Sequence, residues 1–244
     1  MPHMIDTIMF DLDGTLLPFT QEAFVTTYFA ELGKVFVRMD MDAAAAIKAV
    51  WAGTKAMSLN DGSRLNSDVF WDAFAAQLSL TDGKRREVEG ACDSFYTNEF
   101  NVAKSVMIPT DIPKRLVGAL SAKGYGIVLA TNPLFPACAV DTRLQWLGLE
   151  PGDFLFYSHY ANSTYCKPSL GYYQEVFDKI GKAPEQCFMA GNSPVEDMSV
   201  GELGTETYLV TDCLENESGV DISAFARGTL ADLEAYLMTF PDIA

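Results

Sequence analysis

Asp11 and Asp13 stand two residues apart at the end of a short apolar run, Thr7-Ile8-Met9-Phe10, and are followed at once by Gly14 and Thr15. On an extended segment residues i and i+2 point to the same side, so both carboxylates face one site, and Gly14 lets the backbone turn sharply after them. Two carboxylates in one site repel each other unless a divalent cation or a shared proton offsets the charge. Acidic pairs in loops commonly do no more than solvate a surface. Here, however, an apolar strand delivers the pair to the edge of a sheet, where ligands bind. Three later segments carry groups suited to an anion. Val128-Leu129-Ala130 ends in Thr131 and Asn132, where a hydroxyl and the following backbone N–H can donate to phosphate oxygens, although a capping hydroxyl is the plainer reading of Thr131 alone. Lys167, between Cys166 and Pro168 at the mouth of a helix, is a cation that can neutralise phosphate and restrain carboxylates. Met189-Ala190-Gly191 runs into Asn192, Ser193, Pro194, Val195, Glu196 and Asp197, a polar turn with hard oxygen donors.

The elements that must hold these residues read as two kinds of pattern. From about Thr20 to Ser105 the spacing is helical throughout, with segments Gln21 to Leu32, Asp42 to Met57, Ser67 to Gln77 and Lys84 to Glu99. After Pro109 the pattern alternates: helix Ile112 to Ala122, strand Gly126 to Ala130, helix Ala137 to Trp146, strand Phe154 to Tyr157 and helix Ser169 to Ile180. Strand Cys187 to Ala190, a short helix from Val195, strand Thr207 to Val210 and helix Leu230 to Leu237 complete it, with Thr211 to Gly228 a polar loop. Strands separated by helices imply right-handed parallel crossovers. The expected fold is therefore α/β, a doubly wound (Rossmann-like) parallel sheet built from residues 1–19 and 106–244, with a separate all-helical domain, 20–105, inserted in it.

The chain has 244 residues, 49% of them hydrophobic, enough for a substantial interior. Its formal charge of −16, from 33 acidic and 17 basic side chains, repels nucleic acid and acidic lipid surfaces. A small anionic substrate remains compatible, because a few cations or a bound metal dominate the field inside a cleft. No signal-like or membrane-spanning apolar run is found, so a cytoplasmic protein is expected. The five cysteines are spread without a CxxC pair, which indicates neither a disulfide framework nor a zinc site.

Phe10-Asp11-Leu12-Asp13-Gly14-Thr15-Leu16-Leu17 resembles the first motif of the haloacid dehalogenase-like (HAD) hydrolase superfamily, and the three later segments match its further motifs in order over nearly the whole chain. The resemblance implies that Asp11 is a nucleophile forming an aspartyl-phosphate and that Asp13 is general acid, then base. It implies that Thr131, Asn132 and Lys167 bind phosphate, and that the helical insert is a cap over the active site. The implied cofactor is Mg²⁺, held by Asp11, the backbone carbonyl of Asp13 and Asn192, with Asp197 orienting ligands or waters and Glu196 as the alternative. Many members carry Asp where this chain has Asn192, an uncharged ligand that lowers the expected metal affinity. The expected activity is hydrolysis of a small phosphorylated metabolite by a monomer or homodimer, as in phosphoglycolate phosphatase-like and sugar phosphatase-like members.

Rival readings rest on single residues. Dehalogenases of the superfamily lack the second aspartate, so Asp13 argues against halide displacement. A phosphonatase would need a Schiff-base lysine such as Lys48 or Lys55; a phosphomutase and a non-catalytic phosphate-binding module also stand as alternatives. In the insert, Arg64 in a polar stretch is a candidate substrate-facing guanidinium. Phe24, Tyr28, Phe29, Phe70, Trp71 and Phe74 recur at helical spacing and read as the insert's interior. His3 and His159 suggest no metal or triad arrangement.

Overall fold

β1 (Thr7–Phe10) is buried on both faces, and its alternating side chains divide the interior: Ile8 and Phe10 join one apolar cluster and Met9 the other. In the computed structural model, which describes residues 5–243, β1 lies inside a six-stranded sheet. His3 lies outside the described residues. The other strands are β2 (Gly126–Leu129), β3 (Phe156–Tyr157), β4 (Cys187–Gly191), β5 (Glu206–Val210) and β6 (Arg227–Gly228), in the order β3-β2-β1-β4-β5-β6. All neighbouring pairs are parallel, as the strand and helix alternation predicts. The chain winds outward from β1 through β2 to β3, then returns to the other side of β1 for β4, β5 and β6. Such a reversal leaves a crevice beyond the carboxyl ends of the central strands. Phe10 is level with Leu129 on one side and Ala190 on the other, so the residues just after β1, β2 and β4 emerge together.

Four helices follow β1 without an intervening strand: α1 (Gln21–Arg38), α2 (Ala43–Ser58), α3 (Asn66–Leu78) and α4 (Asp82–Thr97). Asp42 caps α2 by accepting from the Ala45 amide at 2.7 Å, and Thr81 caps α4 from Lys84 at 3.3 Å; each satisfies an amide that the first turn would leave unpaired. α1 runs on past Leu32 to Arg38, because Val35 and Phe36 continue its buried face. The chain then forms a 3₁₀ stretch, Glu99–Val106, before α5 (Ile112–Ala122). α6 (Ala137–Trp146), α7 (Leu170–Ile180) and α8 (Leu230–Met238) supply the remaining helices of the sheet region, and Met198–Leu203 is 3₁₀ where a short helix is expected. The polar loop ends in β6, a two-residue edge strand with too little apolar pattern to read from sequence. The interior of the four helices is continuous with the cluster on one sheet face, while α7 covers the other. Among the described residues no helix is long and apolar enough to cross a membrane.

Candidate active site

Asp11 leaves β1 with its backbone N–H donating to the Ala190 carbonyl of β4 at 2.9 Å, which holds it at the sheet's edge, only 7% exposed. Its Oδ1 accepts from Lys167 Nζ at 2.9 Å, and the same ammonium reaches Asp197 Oδ1 at 2.5 Å. Burial pushes the Asp11 carboxyl up to about 8, against the opposing pull of Lys167; Asp197 and Asp13 push the same way as burial. Burial disfavours the charge on Lys167 too, but Asp11 and Asp197 together hold its ammonium well above the usual lysine range. Asp197 Oδ2 accepts from the Ser193 amide at 2.9 Å. A side chain at Gly191 would place its Cβ 2.2 Å from the Asp197 carboxylate, so only glycine permits this approach.

Thr15 Oγ1 stands 3.2 Å from Asp11 Oδ2 and 3.3 Å from Asn192 Oδ1, so the two oxygens converge on one point. Asn192 Nδ2 donates to the Cys213 carbonyl at 2.7 Å, which turns the amide oxygen toward Asp11. Gly14, at φ +78°, makes the turn beneath; a Cβ there would fall 2.1 Å from Asn192 Nδ2. Thr131 is buried, and its carbonyl accepts from Tyr172 at 2.9 Å and Ser158 at 2.5 Å, which fixes the end of β2. Asn132 donates to Glu196 Oε2 at 2.9 Å and leaves its own Oδ1 without a partner. Glu196 thus holds Asn132, whereas Asp197 meets Lys167, so the two neighbouring carboxylates have different partners. Asp13 shares the cleft, its Oδ2 ion-paired with Arg143 of α6 and its buried Oδ1 unpartnered.

The family model for haloacid dehalogenase-like hydrolases matches residues 5–203. The chain belongs to this family of hydrolases. Among curated proteins none matches. The fold is shared with the HAD phosphatase from Thermococcus onnurineus (15% identity, TM-score 0.59, covering 98% of this chain and 100% of that one). It is also shared with magnesium-bound YfnB from Bacillus subtilis (19%, TM-score 0.58, covering 96% and 99%). A 2-haloacid dehalogenase from Pseudomonas syringae pv. Tomato DC3000 is similar to the same degree (18%, TM-score 0.60, covering 96% and 99%). At these identities the likeness shows the fold alone.

Asp11, Asp13, Thr131, Asn132, Lys167, Asn192 and Asp197 are all brought together at the sheet edge of this HAD hydrolase. Arg64 is not. Its guanidinium is bound to Asp72 at 2.6 Å on the exposed side of α3, and Asp72 also takes Arg85 at 2.5 Å, so the polar stretch leans away from the cleft. The six aromatic residues expected as the insert's interior do pack into its core, and they also wall a cavity of about 190 Å³ that opens onto Asp11 and Asp13. Helical spacing alone does not distinguish a wall from a core. His159 is half-buried in its loop and does not line the cleft.

Arg143 was not legible as a site residue, because on a helix it reads as a surface cation; it is 1% exposed and lies over the Phe135 ring at 4.4 Å. Glu215, in the polar loop, lines the cleft and donates its backbone N–H to the Asn192 carbonyl at 3.0 Å. Burial, reinforced by Glu196 and Asp197, pushes its carboxyl up to about 7. Members of the family generally use magnesium. No group of three or more His, Cys, Asp or Glu side chains stands at metal-holding distance among the described residues, so a cation would draw on an amide and backbone carbonyls as well. The convergence of Asp11 Oδ2 with Asn192 Oδ1 supplies the hard, all-oxygen donors that fit magnesium.

Proposed function

We propose that this hydrolase is a magnesium-dependent phosphatase that cleaves the phosphate monoester of a small metabolite through an aspartyl-phosphate on Asp11. One observation carries the reading: a second carboxylate, Asp13, lines the same cleft as the buried Asp11 and is anchored by Arg143. Displacement of halide by a single aspartate has no use for it. An ester does, because its leaving alkoxide needs a proton and the attacking water must lose one.

Asp11 attacks phosphorus; the Asp11 O–P bond forms as the ester P–O bond breaks, and Asp13 protonates the leaving oxygen. Asp13, now a carboxylate, takes a proton from water, which attacks the aspartyl-phosphate and releases inorganic phosphate with Asp11 restored. Lys167 restrains Asp11 and offsets phosphate charge, while the Thr131 hydroxyl and the Asn132 backbone N–H donate to its equatorial oxygens. Asp11, the Asp13 backbone carbonyl and Asn192 would hold magnesium, with Asp197 orienting the ligands. When bound, the ion offsets the repulsion between Asp11 and the phosphate. Residues 20–105 act as the cap that excludes water during the reaction. Lys48 and Lys55 are exposed and do not line the cleft, which speaks against either as the Schiff-base lysine that a phosphonatase would need. The five unpaired cysteines fit a reducing, cytoplasmic setting.

The test is phosphate release from an aryl phosphate, with magnesium and with chelator, for the wild type beside Asp11→Asn. Release that needs magnesium and disappears in the variant is expected; release that persists in folded Asp11→Asn rules out the aspartyl-phosphate.

A further inference from the structure

The cations of the site are already paired at the floor of the cleft, Lys167 with Asp11 and Asp197 and Arg143 with Asp13. Among the described residues, no further lysine, arginine or histidine lines the cleft, whereas Asp93, Glu196 and Glu215 join Asp11, Asp13 and Asp197 along its walls. A leaving group bearing a carboxylate or a second phosphate would find no unpaired cation along these walls and would face acidic groups instead. Hydroxyl-rich leaving groups fare little better, because the polar tips of the wall satisfy one another. The Tyr28 and Tyr96 hydroxyls are 2.7 Å apart, Trp71 Nε1 donates to the Tyr160 hydroxyl at 3.4 Å, and Thr54 Oγ1 donates to the Val50 carbonyl at 3.0 Å. A sugar or glycerol hydroxyl set against this aromatic part of the wall, away from the unpartnered Asp13 Oδ1 and Asn132 Oδ1 at the sheet edge, gives up water without gaining a partner.

What the cleft offers instead is aromatic surface. The Phe24 and Tyr28 rings lie parallel at 6.0 Å, Phe70 meets Trp71 edge-on at 5.1 Å, and Phe29 leans on Trp51 at 5.2 Å. An apolar cavity of roughly 150 Å³ holds one benzene; the volume here, about 190 Å³, accommodates a phosphoryl group with a body of similar order. Resting on the phosphatase reading, we propose that the substrate is the phosphate monoester of a neutral, apolar alcohol or phenol about one ring in size, and that the aromatic wall contributed by α1, α2 and α3 selects it.

The test compares benzyl phosphate with glycerol 3-phosphate and phosphoglycolate, alkyl esters all, using the full chain with magnesium. The expected kcat/KM for benzyl phosphate exceeds that for glycerol 3-phosphate by about 100-fold, from two unpaired hydroxyls at about tenfold each, and also exceeds that for phosphoglycolate, whose carboxylate faces the acidic wall. Trp51 is 51% exposed, so Trp51→Ala should fold. It is expected to raise the KM for benzyl phosphate several-fold, with the Ki of inorganic phosphate reporting that the carboxylate end is intact. Similar kcat/KM values for polar and apolar esters would overturn the proposal while leaving the phosphatase reading standing. If no ester is hydrolysed, that reading fails, and calorimetry judges the cavity by itself: benzylphosphonate binding more tightly than phosphonoacetate supports the proposal, and equal affinity overturns it.

Discussion

Replacing Arg143 with methionine keeps most of the side chain's volume but removes the cation that holds Asp13. Breaking a buried ion pair from one side costs roughly 3–5 kcal/mol, because the remaining charge is left without a partner. Asp13 is 23% exposed at its side chain and can recover some water, so the lower end applies, about 3 kcal/mol. Loss of the contact over Phe135, on the order of 0.5–1 kcal/mol, adds to this. For a chain of this size each kcal/mol shifts the melting temperature by about 2–4 °C, so the combined loss of about 3.5–4 kcal/mol is expected to lower it by roughly 7–16 °C in thermal unfolding. Activity should change selectively. Benzyl phosphate needs a proton on its leaving alkoxide, whereas a nitrophenolate leaves without one, so a misplaced Asp13 should depress kcat on the alkyl ester far more than on the aryl ester. A double-mutant cycle with Asp13→Asn should show a coupling above ~1 kcal/mol. A melting temperature within a degree or two of wild type, or equal loss of kcat on both esters, would refute the argument that Arg143 positions Asp13.

The Asp11 carboxyl, raised to about 8 in the fold against 3.8 unfolded, holds a proton that unfolding releases. Its contribution to stability is therefore full below pH 4 and is lost as pH rises through about 8. Thermal melts in chelator should fall across that window, with a shallower slope in Asp11→Asn; Glu215, raised to about 7, acts in the same direction and sustains the remainder. Magnesium has to displace the Asp11 proton, so its affinity measured by calorimetry should rise with pH up to about 8. Asn192→Asp adds a carboxylate where the Asn192 amide oxygen faces Asp11 and should tighten magnesium binding about tenfold; unchanged affinity would remove Asn192 from the ligand set. Arg64→Ala should leave KM within twofold for every accepted ester, because the guanidinium is held by Asp72 away from the cleft; a large rise in KM would show that it reaches substrate.

Much of the sheet was readable because each strand is a short, fully apolar run followed by a turn, a pattern that parallel strands covered on both faces require. The same pattern ties Asp11, Thr131 and Asn192 to one edge, since the carboxyl ends of parallel strands lie together. β6 escaped because an edge strand of two residues carries no alternation, and the end of α1 was misjudged because buried aromatic contacts carry the helix through Gly33.

What the sequence determined by itself was local: which segments are strands or helices, and which strand ends carry carboxylate, hydroxyl or ammonium groups. Those follow from periodicity and from chemistry at neighbouring positions. Only the tertiary structure decided which distant groups meet. Arg143 reaches Asp13 across 130 residues, and Thr15 meets Asn192 across 177. Spacing on α1 and α3 specified an apolar face, but whether that face closes on itself or on an open cleft depends on what packs opposite. The same dependence turned Arg64 outward: the choice between substrate and Asp72 was set by the position of α3, and no residue near Arg64 in the chain encodes it alone.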